Sequence, residues 1–366
     1  MITRCITTCF SGILSLFCTH QRQCDFQRDL DFIQKTVLEN HPGVYNHLDP
    51  HFLEQVTKSY AVAKLALNQA HSEEEKVQAL KIFGKSFNDS HLWVQYDLKK
   101  DSTDKTSTGS ISRIFDVQKL ENATWISIPT FAPSTSQISS LQEIIRTLPQ
   151  LRDETIIFDL RGNGGGNSEF GIQLLKALFG DEYATHRLAK EKQNIYVEWR
   201  ASSGNLEHIK NFIPMLKQQF PESHPVIQWA ESTCKGMQNA LASGSYYYTE
   251  PKPSKNPPQM NRPSPFKGKV IAIIDKGCGS ACLDFLDGLN AMQSNTLFIG
   301  EPTGSDSVYM ELRTIKLPSS KGTFGFPIKV YRNRPRGHNV PYVPDVRYHG
   351  DLNDTLALQK FVLGVN

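Results

Sequence analysis

Apolar residues recur with a helical period in the first quarter of the chain, and beyond it short apolar runs alternate with amphipathic stretches. Phe26, Leu30, Ile33, Val37 and Leu38 follow one another at three- and four-residue steps and stop before His41-Pro42-Gly43, which predicts one amphipathic helix. Phe52, Leu53, Val56 and Tyr60 predict a second helix after Asp49-Pro50. Val77, Leu80, Phe83 and Phe87 predict a third, opened by the capping-box spacing Ser72-Glu73-Glu74-Glu75. Together these make an N-terminal helical domain over residues 24–92.

The segment from Lys99 to Gly109 is charged, rich in Ser and Thr and without apolar period, so it reads as a surface loop and a boundary. Residues 110–366 then carry an α/β pattern. Thr124 to Ile128, Thr155 to Leu160 and Lys269 to Ile274 have the composition of strands, with helices expected over Ile138 to Leu148 and Ser168 to Phe179. Between about 181 and 265 lies a polar insert. It is helical in stretches such as Asn205 to Phe220 and proline-rich from Pro251 to Pro265, and its expected place is a cap over one face. Trp229, Tyr246, Tyr247 and Tyr248 are read as the insert's own small core.

Composition narrows the function. The chain has 366 residues, 39% of them apolar and 21% charged, which is enough to bury a core and far from a disordered composition. Lys plus Arg is 40 against 37 Asp plus Glu, and a balance of +3 is too small for a nucleic-acid footprint. Residues 1–20, with Ile2, Ile6, Phe10, Ile13, Leu14, Leu16 and Phe17 as an apolar run beside Arg4 and before the polar stretch from Thr19 to Gln23, read as a secretory signal. The expected location is therefore exported, in a periplasm or outside the cell. No run elsewhere approaches the roughly 20 apolar residues of a membrane span. The seven cysteines show no metal-site spacing and no disulfide framework, and His47 and His51, with Pro50 between them, read as surface residues. No metal and no cofactor are expected.

Two turns concentrate the candidate chemistry. Asp159-Leu160-Arg161-Gly162-Asn163-Gly164-Gly165-Gly166-Asn167 follows a strand and precedes a helix, so glycine-permitted geometry and a helix N-terminus offer backbone N–H groups to an anion or oxyanion. The run lacks G-x-x-x-x-G-K-[ST] and G-x-G-x-x-G, which argues against a nucleotide. Asp275 to Cys282 repeats the strand-to-helix setting with Ser280 among small neighbours. Ser280 is there either a nucleophile, with the Ala281 N–H at the developing charge, or a helix N-cap.

Taken together, four segments in order resemble the C-terminal processing peptidase and tricorn core protease family of serine peptidases. These are Asp159 to Gly166, Gly279-Ser280-Ala281, Gly300-Glu301-Pro302-Thr303-Gly304-Ser305, and Tyr342-Val343-Pro344-Asp345. The resemblance implies a crotonase-like α/β catalytic core. It also implies Ser280 as nucleophile, and N–H groups of Gly164, Gly165 and Ala281 as the oxyanion hole. The loop Gly304-Ser305-Asp306-Ser307 lacks the lysine of the family's Ser–Lys kind, whereas Asn88-Asp89-Ser90-His91 matches the Ser–His pair of the tricorn-like kind. His91 is then the general base and Ser90 its orienting neighbour.

The family's supporting Glu falls on His338, seven positions before Asp345. His338 itself, Glu301, Asp89 or Asp306 are the candidate replacements. The stretch between His91 and Trp125 is too short for a PDZ domain. The implied function is a serine endopeptidase acting on peptides or proteins. The alternative is a weak or inactive relative that binds a peptide or small hydrophobic ligand.

Overall fold

The structure, a computed structural model, describes residues 25–96, 113–254, 256–257, 259–292 and 296–365. The signal read over residues 1–20 and the loop read from Lys99 to Gly109 lie outside the described residues. Among the described residues the chain forms a mixed α/β fold built on two sheets.

The first sheet contains β2 (Asp116–Lys119), β3 (Ala123–Ser127), β4 (Thr155–Asp159), β7 (Val270–Ile274), β8 (Thr296–Gly300) and β11 (Val346–Arg347), in the order β11-β8-β7-β4-β3-β2. All neighbours are parallel except β2 with β3. Side chains alternate between the two faces of a strand. Ile156, Phe158, Val270, Ala272 and Ile274 therefore enter one core, with α4 (Thr135–Thr147), α5 (Ser168–Phe179) and α9 (Ala281–Ala291). Ile157, Ile271, Ile273 and Ile299 enter another, beneath α10 (Thr355–Leu363). Covering both faces is what makes these strands continuous apolar runs, and it places the turns after β4 and β7 side by side at the strands' C-terminal ends.

The second sheet is antiparallel. β1 (Trp93–Tyr96), β10 (Gly322–Arg332), β5 (Tyr196–Arg200) and β6 (Tyr247–Thr249) lie in that order, and β9 (Tyr309–Lys316) also pairs with β10. The expected N-terminal helices form as α1 (residues 25–40), α2 (Phe52–Gln69) and α3 (Glu73–Lys85), and Ser72 with Glu75 makes a complete capping box. Their apolar faces do not close on themselves. Leu30, Val56, Leu80 and Phe83 share one core with Trp199, Phe324, Phe326 and Val330 of this sheet.

The polar insert differs from the expected helical cap in the same way. Alongside α6 (Asp181–Glu191), α7 (Ser203–Gln219) and α8 (Pro225–Ala242) it supplies β5 and β6, because Val197 and Trp199 alternate inward within an otherwise polar stretch.

His41, at the end of α1, links this core to pH. Its ring stacks on Phe52 at 4.4 Å, its Nδ1 accepts the Gly43 N–H at 2.9 Å, and its Nε2 has no hydrogen-bond partner among the described residues. Burial pushes the imidazole from 6.5 down to about 3, against a smaller upward pull from Asp89. The unfolded chain takes up this proton near pH 6.5 and the folded chain does not. Stability is therefore fully present above that pH and is lost as pH falls toward about 3. We expect the urea midpoint to drop between about pH 7.5 and about pH 5. His41→Asn, which keeps an acceptor for the Gly43 amide, should flatten that slope.

Candidate active site

The turn after β4 is built around buried polar anchors. Arg161 pairs with Asp159 through Nε at 2.7 Å and Nη2 at 2.5 Å, and both side chains are about 1% exposed. Asn163 donates Nδ2 to the Ile128 carbonyl at 2.9 Å, and its Oδ1 accepts the Gly165 N–H at 3.0 Å. The turn after β7 is stitched to it. Asp275 Oδ1 accepts both Gly162 N–H and Gly277 N–H at 2.9 Å, and Gly279 N–H donates to the Asn163 carbonyl at 3.1 Å. Gly165, at φ +98°, presses on the second turn so closely that a Cβ there would lie 2.7 Å from Ser280 Cβ. Only glycine fits such an approach.

These contacts change the expected oxyanion donors. The Gly165 N–H is already spent on Asn163, so that residue is the close-contact glycine rather than a free donor. Gly164 is exposed at the cavity, and among the described residues neither its N–H nor that of Ala281 has a hydrogen-bond partner.

Ser280 stands at the N-cap position of α9 with φ +52° and ψ −123°, a backbone conformation costly for any residue but glycine. Its side chain makes no capping bond, and its N–H donates to Asp306 Oδ1 at 3.1 Å. Of the two readings of this serine, the N-cap side chain is therefore absent and the hydroxyl is left available for chemistry.

His91 is buried just before β1. Its N–H donates to Asp89 Oδ1 at 2.8 Å, and its Nδ1 lies 3.6 Å from the same oxygen, an ion-pair distance. Asp89 Oδ2 accepts the Ser307 hydroxyl at 2.9 Å. Burial alone would lower the His91 imidazole, but Asp89, helped by the charges of Asp306 and Glu311, holds it above the usual histidine value. Burial opposes the Asp89 charge as well, and His91, with a smaller contribution from His41, outweighs it and keeps that carboxyl below its ordinary range. Among the described residues Ser90 makes no hydrogen bond to the imidazole. Its hydroxyl donates to the Ser305 carbonyl at 3.4 Å, which ties the His91 loop to the loop after β8.

A cavity of about 1060 Å³ brings Ser280, His91, Ser90, Gly164 and Asp306 together. Its apolar lining includes Phe170 and Leu175 of α5, Phe212 and Met215 of α7, and Trp229 of α8. Trp229 thus belongs to the wall of the site and not only to the insert's own core.

Lys329 also faces the cavity, paired with Glu311 at 2.9 Å and lying 4.8 Å from the Trp199 ring. Burial opposes its charge, yet Tyr331, Glu311 and Glu250 hold its ammonium above the usual range, so it offers no neutral amine as a base. Nothing in the local sequence around Lys329 or Glu311 marks them as cavity residues, since their meeting depends on β9 and β10 pairing.

The structure does not bring His338 or Glu301 to this cavity. His338 is exposed, accepts the Val308 N–H at 3.2 Å, and borders a separate pocket of about 260 Å³ behind Asp89. Glu301 sits beyond the end of β8, its N–H on the Ile274 carbonyl at 3.0 Å. Among the described residues no group of three His, Cys, Asp or Glu is arranged to hold a metal ion, and no helix is long and apolar enough to cross a membrane.

A family model described as Peptidase family S41 matches residues 122–346. The fold is similar to mature CPAF complexed with lactacystin, at TM-score 0.54 and 12% identity over 89% of this chain and 94% of that one. It is similar also to mature CPAF at TM-score 0.52 and 11% identity, over 89% and 92% of the two chains. The tricorn protease aligns at TM-score 0.46 and 12% identity, over 89% of this chain and 34% of its own. No curated protein matches the sequence at a significant level.

Proposed function

The chain belongs to peptidase family S41, and on that premise we propose that it is a serine endopeptidase in which Ser280 is the nucleophile and His91 the general base. One observation carries the reading. A serine held in a strained turn, with its hydroxyl uncapped, lines one cavity with a buried histidine whose Nδ1 lies 3.6 Å from a carboxylate. We read the six-stranded unit with helices on both faces as the crotonase-like core.

With Nδ1 turned to Asp89, the His91 Nε2 is the nitrogen left to take the Ser280 proton as Oγ attacks the substrate carbonyl carbon. The N–H groups of Ala281 and Gly164 receive the oxyanion, each worth about 3 kcal/mol if they match oxyanion donors elsewhere. The imidazolium then protonates the leaving amine, and water repeats the cycle on the acyl-enzyme. Asp89 takes the part of the Glu that is absent at His338. That absence is the sequence's ground for a binding protein without catalysis, and the Asp89–His91 pair supports the catalytic reading instead.

Asp89→Asn tests this assignment. It removes the main charge holding His91 up, so the acid limb of kcat/KM against pH should move to lower pH, while the rate falls by as much as about 10⁴-fold, the scale for an orienting carboxylate in a Ser–His–Asp triad. An unchanged profile with full activity would rule out Asp89 as the supporting group. We further propose, on the apolar run of residues 1–20, that the protein is exported. N-terminal sequencing of material recovered outside the cytoplasm would check this.

A further inference from the structure

We propose that Asp306 is the positioning residue for the nucleophile, and that Arg336 fixes it in a closed ring of contacts returning to the helix that Ser280 begins. The inference rests on Ser280 being the nucleophile.

Asp306 is 1% exposed, and its two oxygens face different partners: Oδ1 accepts the Ser280 N–H at 3.1 Å, and Oδ2 meets Arg336 Nη1 at 3.3 Å. Arg336, with a side chain 4% exposed, is gripped from α9 by Asp287, 3.2 Å from Nε, and by Asp284, 3.3 Å from Nη2. Asp284 Oδ2 in turn accepts the Ser168 hydroxyl at 2.8 Å, which ties in the start of α5. The ring therefore runs from Ser280 through Asp306, Arg336 and the two α9 carboxylates back to the helix of Ser280 itself.

Two features give this ring work to do at the nucleophile. First, the positive φ of Ser280 is a conformation that surrounding contacts must impose, and the bond to Asp306 constrains the amide of that very residue. Gly165 packs against the same turn, so the serine is held by a hydrogen bond and by close van der Waals contact. Second, both oxygens of this buried carboxylate meet a donor, the Ser280 amide on Oδ1 and Arg336 on Oδ2, so the side chain is fixed from both ends. Because that amide is occupied, Ser280 contributes its hydroxyl to the reaction and not its N–H.

The test uses a fluorophosphonate, which reports nucleophile reactivity without a known substrate, on the full chain and its Ser280→Ala, Asp306→Ala, Asp306→Asn and Arg336→Lys variants. The maximal phosphonylation rate of Asp306→Ala should fall by about 100-fold, the scale of an ångström-sized misplacement, with the half-saturating probe concentration unchanged. Asp306→Asn, which keeps an acceptor for the amide, should recover part of the rate. Its acid limb should also shift to lower pH, since Asp306 is one of the carboxylates, with Asp89 and Glu311, that raise His91. That shift reads the Asp306 charge at His91, whereas positioning is read by the maximal rate at unchanged half-saturation, which a purely structural role would leave at the wild-type value.

If Asp306→Ala fails to fold, the isosteric Asp306→Asn and the charge-keeping Arg336→Lys decide alone. Wild-type rate and pH profile in the Asp306 variants, with labelling lost in Ser280→Ala, would overturn this inference only. Labelling that survives in Ser280→Ala would overturn the Ser280 reading and this inference with it.

Discussion

Replacing Ser280 by Ala is expected to abolish peptide cleavage, with a loss on the order of 10⁶-fold, as for removal of the nucleophile in a serine protease. The fold should barely respond. The Ser280 hydroxyl caps nothing, so the substitution breaks no hydrogen bond there, and the hydrogen bond that the Ser280 backbone N–H donates to Asp306 Oδ1 survives. Wild type and variant should melt together while only wild type generates fragments from a diverse peptide mixture followed by mass spectrometry. Fragments from both proteins alike would remove Ser280 from the mechanism.

His91→Ala is expected to cost nearly as much, and the double variant no more than either single one, because a nucleophile and its base act as one unit and their losses do not add. The argument is local. His91 is buried, its Nδ1 lies 3.6 Å from Asp89 Oδ1, and it shares the cavity wall with Ser280. Removing the ring leaves Asp89 with Ser307 as its side-chain partner, so some stability should be lost along with activity, unlike Ser280→Ala. Comparing initial cleavage rates and melting temperatures across the three variants checks both parts. Losses in rate that simply multiplied would mean that the two residues do not form a unit.

Much of this arrangement is legible in local sequence patterns. The helix expected over Ser168 to Phe179 has those ends, and β4 and β7 lie in the apolar runs that mark them, because both faces of that sheet are covered and apolar composition alone identifies its strands. Short motifs single out Ser280, His91 and Gly164, and the cavity gathers all three.

What is not legible depends on distant pairing. The second sheet is organised by β10, whose partners β1 and β5 lie more than a hundred residues away, and the α1–α3 helices cover it instead of making a core of their own. The Asp89–Ser307 bond joins residues 218 positions apart. Gly165 shows a subtler limit. Its type is right for the site, but whether a glycine N–H is free or spent depends on Asn163 turning back to meet it.

The central claim is that Ser280 carries the reacting oxygen of a base-assisted peptidase site. The most direct measurement is to react the protein with a fluorophosphonate, digest it, and locate the adduct by mass spectrometry. The account predicts one adduct, on Ser280, absent after His91→Ala. An adduct on another residue, or peptide cleavage by a protein whose Ser280 stays unmodified under the same treatment, would contradict it.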